Sequence, residues 1–410
     1  MMLIRPNTRN KNYQELARDL SAMEPPLWMA MRAAELKAQD REVNVIDGEV
    51  TPYEIDDITD NEIEIFPTGS HPSAFIQQKE GIKELALDLI HRGKNVKVWG
   101  KVPDFSIETT PLWEAFPITK YRTHNWHCWG GYERQPYGIT YTSLGCPFNC
   151  SFCAVNGYYN NKYTERDLIL TFMDIEQFVR NHGVKNIKII DEMFFLKKKR
   201  VEELCDMLIA NSFDLNIWAY ARIDTVEPAL LSKLRRAGFR WLGLGVESGD
   251  EAIRRGTSKG SFTNNKIRDT VSMIRDNGIH TAANYIFGFL DDDINSMKKT
   301  LDFAKELNCE YANFNPMMPF PGSQLYEEIV RLGWDLPKSW SGYSYYSYDA
   351  QPVRTKYLTS IQVLKFRDNA FMDYFTDNNY LAMIRDTFGK TAVEDINEMT
   401  KIKLKRKFLE

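Results

Sequence analysis

Three of the six cysteines in this 410-residue chain fall within one short run, Gly145-Cys146-Pro-Phe-Asn-Cys150-Ser-Phe152-Cys153. The spacing is C-x3-C-x2-C. Thiolates are soft ligands that suit iron–sulfur clusters, and a cubane takes four of them, so three in one loop leave one iron unclaimed by nearby protein. An open iron can bind a substrate. A structural zinc site asks for a fourth ligand, typically in a second Cys or Cys/His pair downstream. Cys205 and Cys309 do not supply that pair. Cys205 shares a helix face with Val201, Leu204 and Leu208 and reads as a core thiol, and Cys309 is isolated.

The loop must be held by the elements around it, and a first apolar strand runs straight into it. From about Gly138 to Leu332 six strand–helix pairs follow one another. The strands are expected near Ile139–Thr142, Asn186–Ile190, Asn216–Ala221, Trp241–Val246, Thr281–Phe287 and Tyr311–Pro316. The first helix is expected to begin at Thr164, with Asp167 three residues on as a capping box. The others run near Lys197–Ile209, Glu227–Ala237, Ile267–Asn277, Ile294–Leu307 and Leu325–Leu332. Such alternation predicts an α/β fold with parallel strands, right-handed crossovers and a partial (βα)6 barrel, with its working loops at the carboxyl ends of the strands. Residues 1–105 carry a smaller α/β pattern, with strands near Met2–Ile4, Glu42–Ile46, Ile63–Pro67 and Asn95–Trp99 and helices near Leu27–Ala38 and Gly81–His91. Residues 106–135 read as a linker, 136–335 as the barrel, and 336–410 as an aromatic-rich, mainly helical extension.

A net charge of −4, with 43% hydrophobic and 26% charged residues, fits a globular protein and gives no general field for nucleic acid. The basic run Lys401–Lys407 reads as a solvated helix end. Without an apolar run of 18 residues or a signal-like start, the expectation is a cytoplasmic protein with no membrane span, whose thiols stay reduced.

A strand followed by C-x3-C-x-aromatic-C and five further strand–helix units resembles the radical S-adenosylmethionine (SAM) superfamily over residues 136–335. The resemblance implies a [4Fe–4S] cluster on Cys146, Cys150 and Cys153, with Phe152 as the loop aromatic. It implies SAM chelated to the open iron and split by one electron to a radical that abstracts substrate hydrogen, inside a shielded pocket. Other strand ends are similar to family features in order. Asp191 or Glu192 would meet the SAM ammonium, and Arg222 its carboxylate. Glu247, in Glu247-Ser248-Gly249, would meet the ribose, and Gly288 would let backbone approach the adenine. An electron donor such as flavodoxin or ferredoxin is implied as partner.

Residues 1–105 resemble the Rossmann-like cobalamin-binding domain that precedes the barrel in one branch of the superfamily, typified by class B methyltransferases. The carrying segments are Leu3-Ile4-Arg5-Pro6, Pro25-Pro26-Leu27, Val43–Asp47 and Phe66-Pro67-Thr68-Gly69-Ser70-His71-Pro72-Ser73. Ser70 and His71 are the candidate cobalamin contacts. The Asp-x-His-x-x-Gly motif of many cobalamin proteins is absent, and His71 is the candidate replacement ligand. Trp126, Trp129, His124 and His127 read as domain-junction packing more than as cavity lining. The leading reading is a cobalamin-dependent methyltransferase acting on an unactivated carbon of a small molecule. The alternatives are a cobalamin-independent radical SAM isomerase, oxidase or modifying enzyme with a vestigial first domain, and a non-catalytic metal-binding module.

Overall fold

The computed structural model describes residues 1–67, 71–99 and 109–409. Ser70, one of the residues singled out above, lies outside them. Two parallel sheets organise the chain. The first has strand order β2-β1-β3-β4, from β1 (Met2–Arg5), β2 (Asn44–Asp47), β3 (Glu62–Ile65) and β4 (Asn95–Val98). The crossovers are α1 (Leu27–Ala38) and α2 (Pro72–His91). The second sheet has six parallel strands in sequential order: β5 (Tyr137–Thr140), β6 (Asn186–Ile189), β7 (Asn216–Ala221), β8 (Phe239–Glu247), β9 (His280–Phe287) and β10 (Tyr311–Pro316). Among the described residues β5 and β10 pair with each other nowhere, so the barrel is open on one side. Its helices are α3 (Leu168–His182), α4 (Lys198–Ala210), α5 (Pro228–Arg236), α6 (Asn264–Asp276), α7 (Ile294–Leu307) and α8 (Gln324–Leu332), followed by α9 (Ser360–Phe375), α10 (Asn378–Phe388) and α11 (Lys390–Lys401).

The six strand positions follow the apolar pattern closely, because strands buried on both faces leave little choice of register. Three helix starts differ by three residues or more. α6 opens at Asn264, three residues before Ile267, capped by Thr263. Thr164 does not open α3; with Glu165 it pairs antiparallel to Ser143–Leu144. The helix begins four residues later, at Leu168, because Asp167 itself is the cap, its carboxylate accepting from the Ile169 amide at 2.8 Å. Likewise α2 starts at Pro72, nine residues before Gly81, capped by His71 and burying Phe75, Ile76 and Gln78. Gly81 therefore sits inside this helix, where a Cβ would press to 3.1 Å from Thr8 Cγ2. The basic C-terminal run departs furthest from a solvated helix end. Arg406 is buried, donating to both oxygens of Asp368 at 2.9–3.0 Å and to the carbonyls of Tyr345 and Ser347.

One hydrophobic core runs through both sheets. Trp28 of α1 packs on Tyr141 with ring centroids 5.5 Å apart, joining the small sheet to the first barrel strand. At the amino ends of the barrel strands Trp126 meets Trp218, Trp241 and Tyr311 at 4.9–5.6 Å, and Trp129 packs against Trp241 and Phe388. These tryptophans pack at the bottom of the barrel, and Trp126 and His124 also line a cavity there, so the packing reading does not exclude lining.

Candidate functional site

The cysteine loop leaves β5 at its carboxyl end and is bracketed by the short Ser143–Leu144/Thr164–Glu165 ribbon. Gly145 turns the chain into the loop at φ +84°, where a Cβ would fall 1.9 Å from the Lys162 carbonyl oxygen, so no other residue fits. Farther along, the Ser151 amide donates to the Thr257 carbonyl at 3.0 Å and the Ser151 carbonyl accepts from the Leu325 amide at 2.8 Å. The loop is thus tied to segments following β8 and β10.

All six cysteines are free thiols. Cys205 and Cys309 are fully buried in the core, away from the loop. Burial pushes the Cys153 thiol up to about 12 and raises Cys146 as well. Among the described residues no three His, Cys, Asp or Glu side chains converge as a single-ion site. A cluster offers a separate iron to each thiolate and needs no such convergence. The donor set, three unpaired thiols on a loop held from both sides, suits that larger group.

Charged side chains from successive strand ends surround the loop. Asp191, just past β6, is fully buried and accepts from the Thr142 amide at 2.7 Å, the Thr142 hydroxyl at 2.5 Å and the Ser143 hydroxyl at 2.5 Å. Both its oxygens are spent latching the exit of β5 to the exit of β6. Glu192 is placed differently. Its Oε2 accepts from the Gly145 amide at 2.9 Å, while its Oε1 and the adjacent Tyr159 hydroxyl are buried without a well-formed hydrogen bond. Burial pushes its carboxyl up to about 7. A buried carboxylate beside the cysteine loop whose second oxygen has only the loosely placed Tyr159 hydroxyl for company is what a cationic ligand would satisfy.

Arg222, past β7, lies over Phe148 at 3.9 Å and grips Asp224 with two bonds of 2.7 and 2.9 Å. Its forked face is therefore engaged within the protein, and Nη1 points to Cys150 Sγ at 3.8 Å. Glu247, at the end of β8, adopts φ +65°, a strained conformation for a non-glycine residue, beside a register shift in the strand. The buried Lys259 ammonium meets its Oε1 at 2.9 Å. Ser248 turns away into the core, its hydroxyl 3.1 Å from that of Thr300 and accepting from the Asp250 amide. Gly288 also faces inward. At φ +93° its missing Cβ would lie 2.5 Å from Val363 of α9, and its amide donates to Asp292. Phe152 packs edge-on against Phe289, with centroids 5.5 Å apart.

The segment ahead of α1 also reaches the barrel interior. Lys188 of β6 pairs with Glu24 at 2.5 Å and lies over Trp218 at 4.9 Å. His71 and His124 are beside this pair, and burial, with Lys188 as a second cause, holds both imidazoles down to about 4. His71 Nδ1 accepts from the Ser73 amide at 3.2 Å and lies 2.7 Å from the Ser73 hydroxyl. In this arrangement the neutral ring carries its proton on Nε2, which makes that nitrogen a donor.

Sequence reasoning missed Lys188, Lys259 and Tyr345. Lys188 had a signal, a lysine alternating with Ile187 and Ile189 in a strand whose other face is packed. Lys259 had none, since it reaches Glu247 from a loop. Tyr345 comes from the aromatic run 340–348, and its hydroxyl is within electrostatic reach of Glu247 and Cys153.

Residues 140–304 match the family model described as the Radical SAM superfamily. An uncharacterised methyltransferase of Pyrococcus horikoshii is 26% identical over 279 residues, which are 68% of this chain and 57% of that protein. The anaerobic magnesium-protoporphyrin IX monomethyl ester cyclase of Rubrivivax gelatinosus is 28% identical over 235 residues, 55% of this chain and 42% of the cyclase. The chain thus spans about half the length of the curated relatives it matches. In fold it is similar to the cobalamin-dependent radical SAM enzyme OxsB, at a TM-score of 0.64 with 13% identity over 97% of this chain and 78% of OxsB. It is similar also to the radical SAM methyltransferase TsrM of Kitasatospora setae, at a TM-score of 0.57 with 14% identity over 81% of this chain and 77% of TsrM. No helix among the described residues is long and apolar enough to cross a membrane. A matching family model over residues 140–304, an open six-stranded parallel barrel and a three-cysteine loop at the end of its first strand together mark a radical SAM core in this chain, a domain that implies a [4Fe–4S] cluster and SAM.

Proposed function

We propose that this chain is a cobalamin-dependent radical SAM methyltransferase acting on an unactivated carbon of a small molecule. The observation that carries the reading is the meeting of the segment ahead of α1 with the barrel at the Glu24–Lys188 pair, with the cysteine loop on the barrel side and His71 on the other. Residues 1–105 would hold the corrin, 106–135 link it to the barrel of 136–335, and 336–410 close the structure. When bound, the cluster and SAM supply a radical that removes substrate hydrogen, and cobalamin supplies the methyl group.

Cys146, Cys150 and Cys153 would hold the cluster, with Arg222 Nη1 lying 3.8 Å from the Cys150 sulfur. Glu192 Oε1 is the acceptor for the SAM ammonium, because Asp191 is already engaged. Glu247 would accept from the ribose hydroxyls, with the Lys259 ammonium on its Oε1 holding the carboxylate in place. Phe152 and Phe289 exclude water along one side. His71 would donate from Nε2 toward the corrin's polar edge. A low-potential donor such as flavodoxin or ferredoxin would supply electrons. The names of several relatives, the protoporphyrin ester cyclases and two bacteriochlorophyllide d methyltransferases of Chlorobaculum tepidum, place their substrates among tetrapyrroles, which makes a large conjugated substrate the first class to try.

The test is anaerobic purification with cobalamin supplied, followed by iron and corrin analysis and assay of SAM cleavage under strong reductant. Bound corrin, iron near four per chain and 5′-deoxyadenosine are expected. Cleavage without corrin would favour the isomerase or oxidase reading, and neither would leave a metal-binding module.

A further inference from the structure

The open side of the barrel holds a cavity of about 510 Å³ that the reading above does not use. Its walls come from both ends of the chain: Leu16 and Leu20 on one side, Phe314 of β10 and Met372 of α9 on another, and Ile402 from the C-terminal tail. The volume is in the range of sites for drug-sized ligands, and the lining is mainly aromatic and aliphatic.

Arg367 supplies its charge. This guanidinium is buried at 4% exposure on the cavity wall, with the rings of Tyr346 and Phe371 each 5.5 Å from it. Its Nε donates to the Phe314 carbonyl at 2.7 Å and its Nη1 to Asp368 at 2.9 Å, which leaves the Nη2 donors without an acceptor among the described residues. Asp368 also serves Arg406 through two bonds, so two buried guanidiniums share one carboxylate and the wall carries an excess positive charge. Lys403 adds a second cation at the exposed rim. An excess charge out of water calls for an anion, and the Nη2 donors offer a carboxylate charge-assisted hydrogen bonds.

We propose that this cavity is a binding site for a flat, apolar molecule carrying one carboxylate, with its body between the aromatic walls and its carboxylate on Arg367. The site stands apart from the cysteine loop but close to the barrel interior. Tyr346 is the shared wall, lining the cavity while packing on Tyr345, whose hydroxyl is within electrostatic reach of Glu247 and Cys153. Binding here does not depend on methyl transfer or on cobalamin.

The test uses the full chain and two probes of equal size, naphthalene-2-carboxylate and naphthalene-2-methanol, titrated by calorimetry. The carboxylate is expected to bind at least about tenfold more tightly than the alcohol, as a charge-assisted hydrogen bond to a buried guanidinium requires. Arg367→Met should bring the two to parity. Met372→Trp, which fills the cavity from a half-buried position, should abolish binding of both, and Leu20→Trp should do so from the opposite wall; circular dichroism establishes that each variant is folded. Equal binding of the two probes by the unaltered protein, or undiminished binding by both folded tryptophan variants, would overturn the assignment.

Discussion

Asp191→Ala would leave three donors, the Thr142 amide and the Thr142 and Ser143 hydroxyls, facing a dry space just ahead of the cysteine loop. Each unsatisfied buried donor costs about 1–3 kcal/mol, so the loss is about 5 kcal/mol before any offset. The offset comes from the charge the variant no longer buries. Burial raises the Asp191 carboxyl from 3.8 to about 6. The folded state therefore holds its proton more tightly than the unfolded chain, and ionising the group withdraws about 3 kcal/mol of stability as pH rises from below 3.8 to above 6. At pH 8 the unaltered protein bears that whole cost, so the net loss in Asp191→Ala shrinks to about 2 kcal/mol. At pH 5 it bears only part, and the net loss grows by about 1.4 kcal/mol. With an unfolding entropy of about 0.9 kcal/mol/K for a chain of this length, Tm should fall by about 2 °C at pH 8 and about 4 °C at pH 5. Asp191→Asn, which resembles the protonated acid, should lose less than Ala at both. Thermal unfolding of the apoprotein followed by circular dichroism reads all of these. Equal losses at the two pH values, or an Asn variant as damaged as Ala, would refute the latch.

Gly288→Ala forces a side chain into the left-handed region and onto Val363, so a loss of about 2–3 kcal/mol is expected, partly restored by adding Val363→Ala; urea midpoints of the single and double variants measure both. Cys146→Ala, Cys150→Ala and Cys153→Ala should each lose most of the reconstituted iron, whereas Cys205→Ala, deep in α4, should keep about four irons per chain by colorimetric assay. Lys259→Met strands the Glu247 carboxylate in a dry site, so SAM affinity should drop at least about tenfold by equilibrium dialysis; unchanged affinity would remove Glu247 from the ribose contact.

Much of the fold was legible because its signals are local. Strands of a covered parallel sheet are short apolar runs, their crossovers are amphipathic helices, and three thiols within eight residues share a loop wherever that loop goes. Asp167 and Pro72 show where locality fails, since a capping side chain and a proline at a first turn shift a helix start without altering the apolar face. The choice between Asp191 and Glu192 was closed to the sequence, because two adjacent carboxylates look alike until Thr142 and Ser143 are seen to take one of them. The meetings of Arg222 with Cys150, Lys259 with Glu247 and Arg406 with Asp368 were equally closed, as each joins residues from separate elements. Alone, the chain's pattern determined that a three-thiol loop stands at the end of the first strand of an open parallel barrel. Tertiary structure alone decided which charges around that loop are spent and which are left for a ligand, because a side chain's free hydrogen-bonding capacity depends on neighbours brought in from far along the chain.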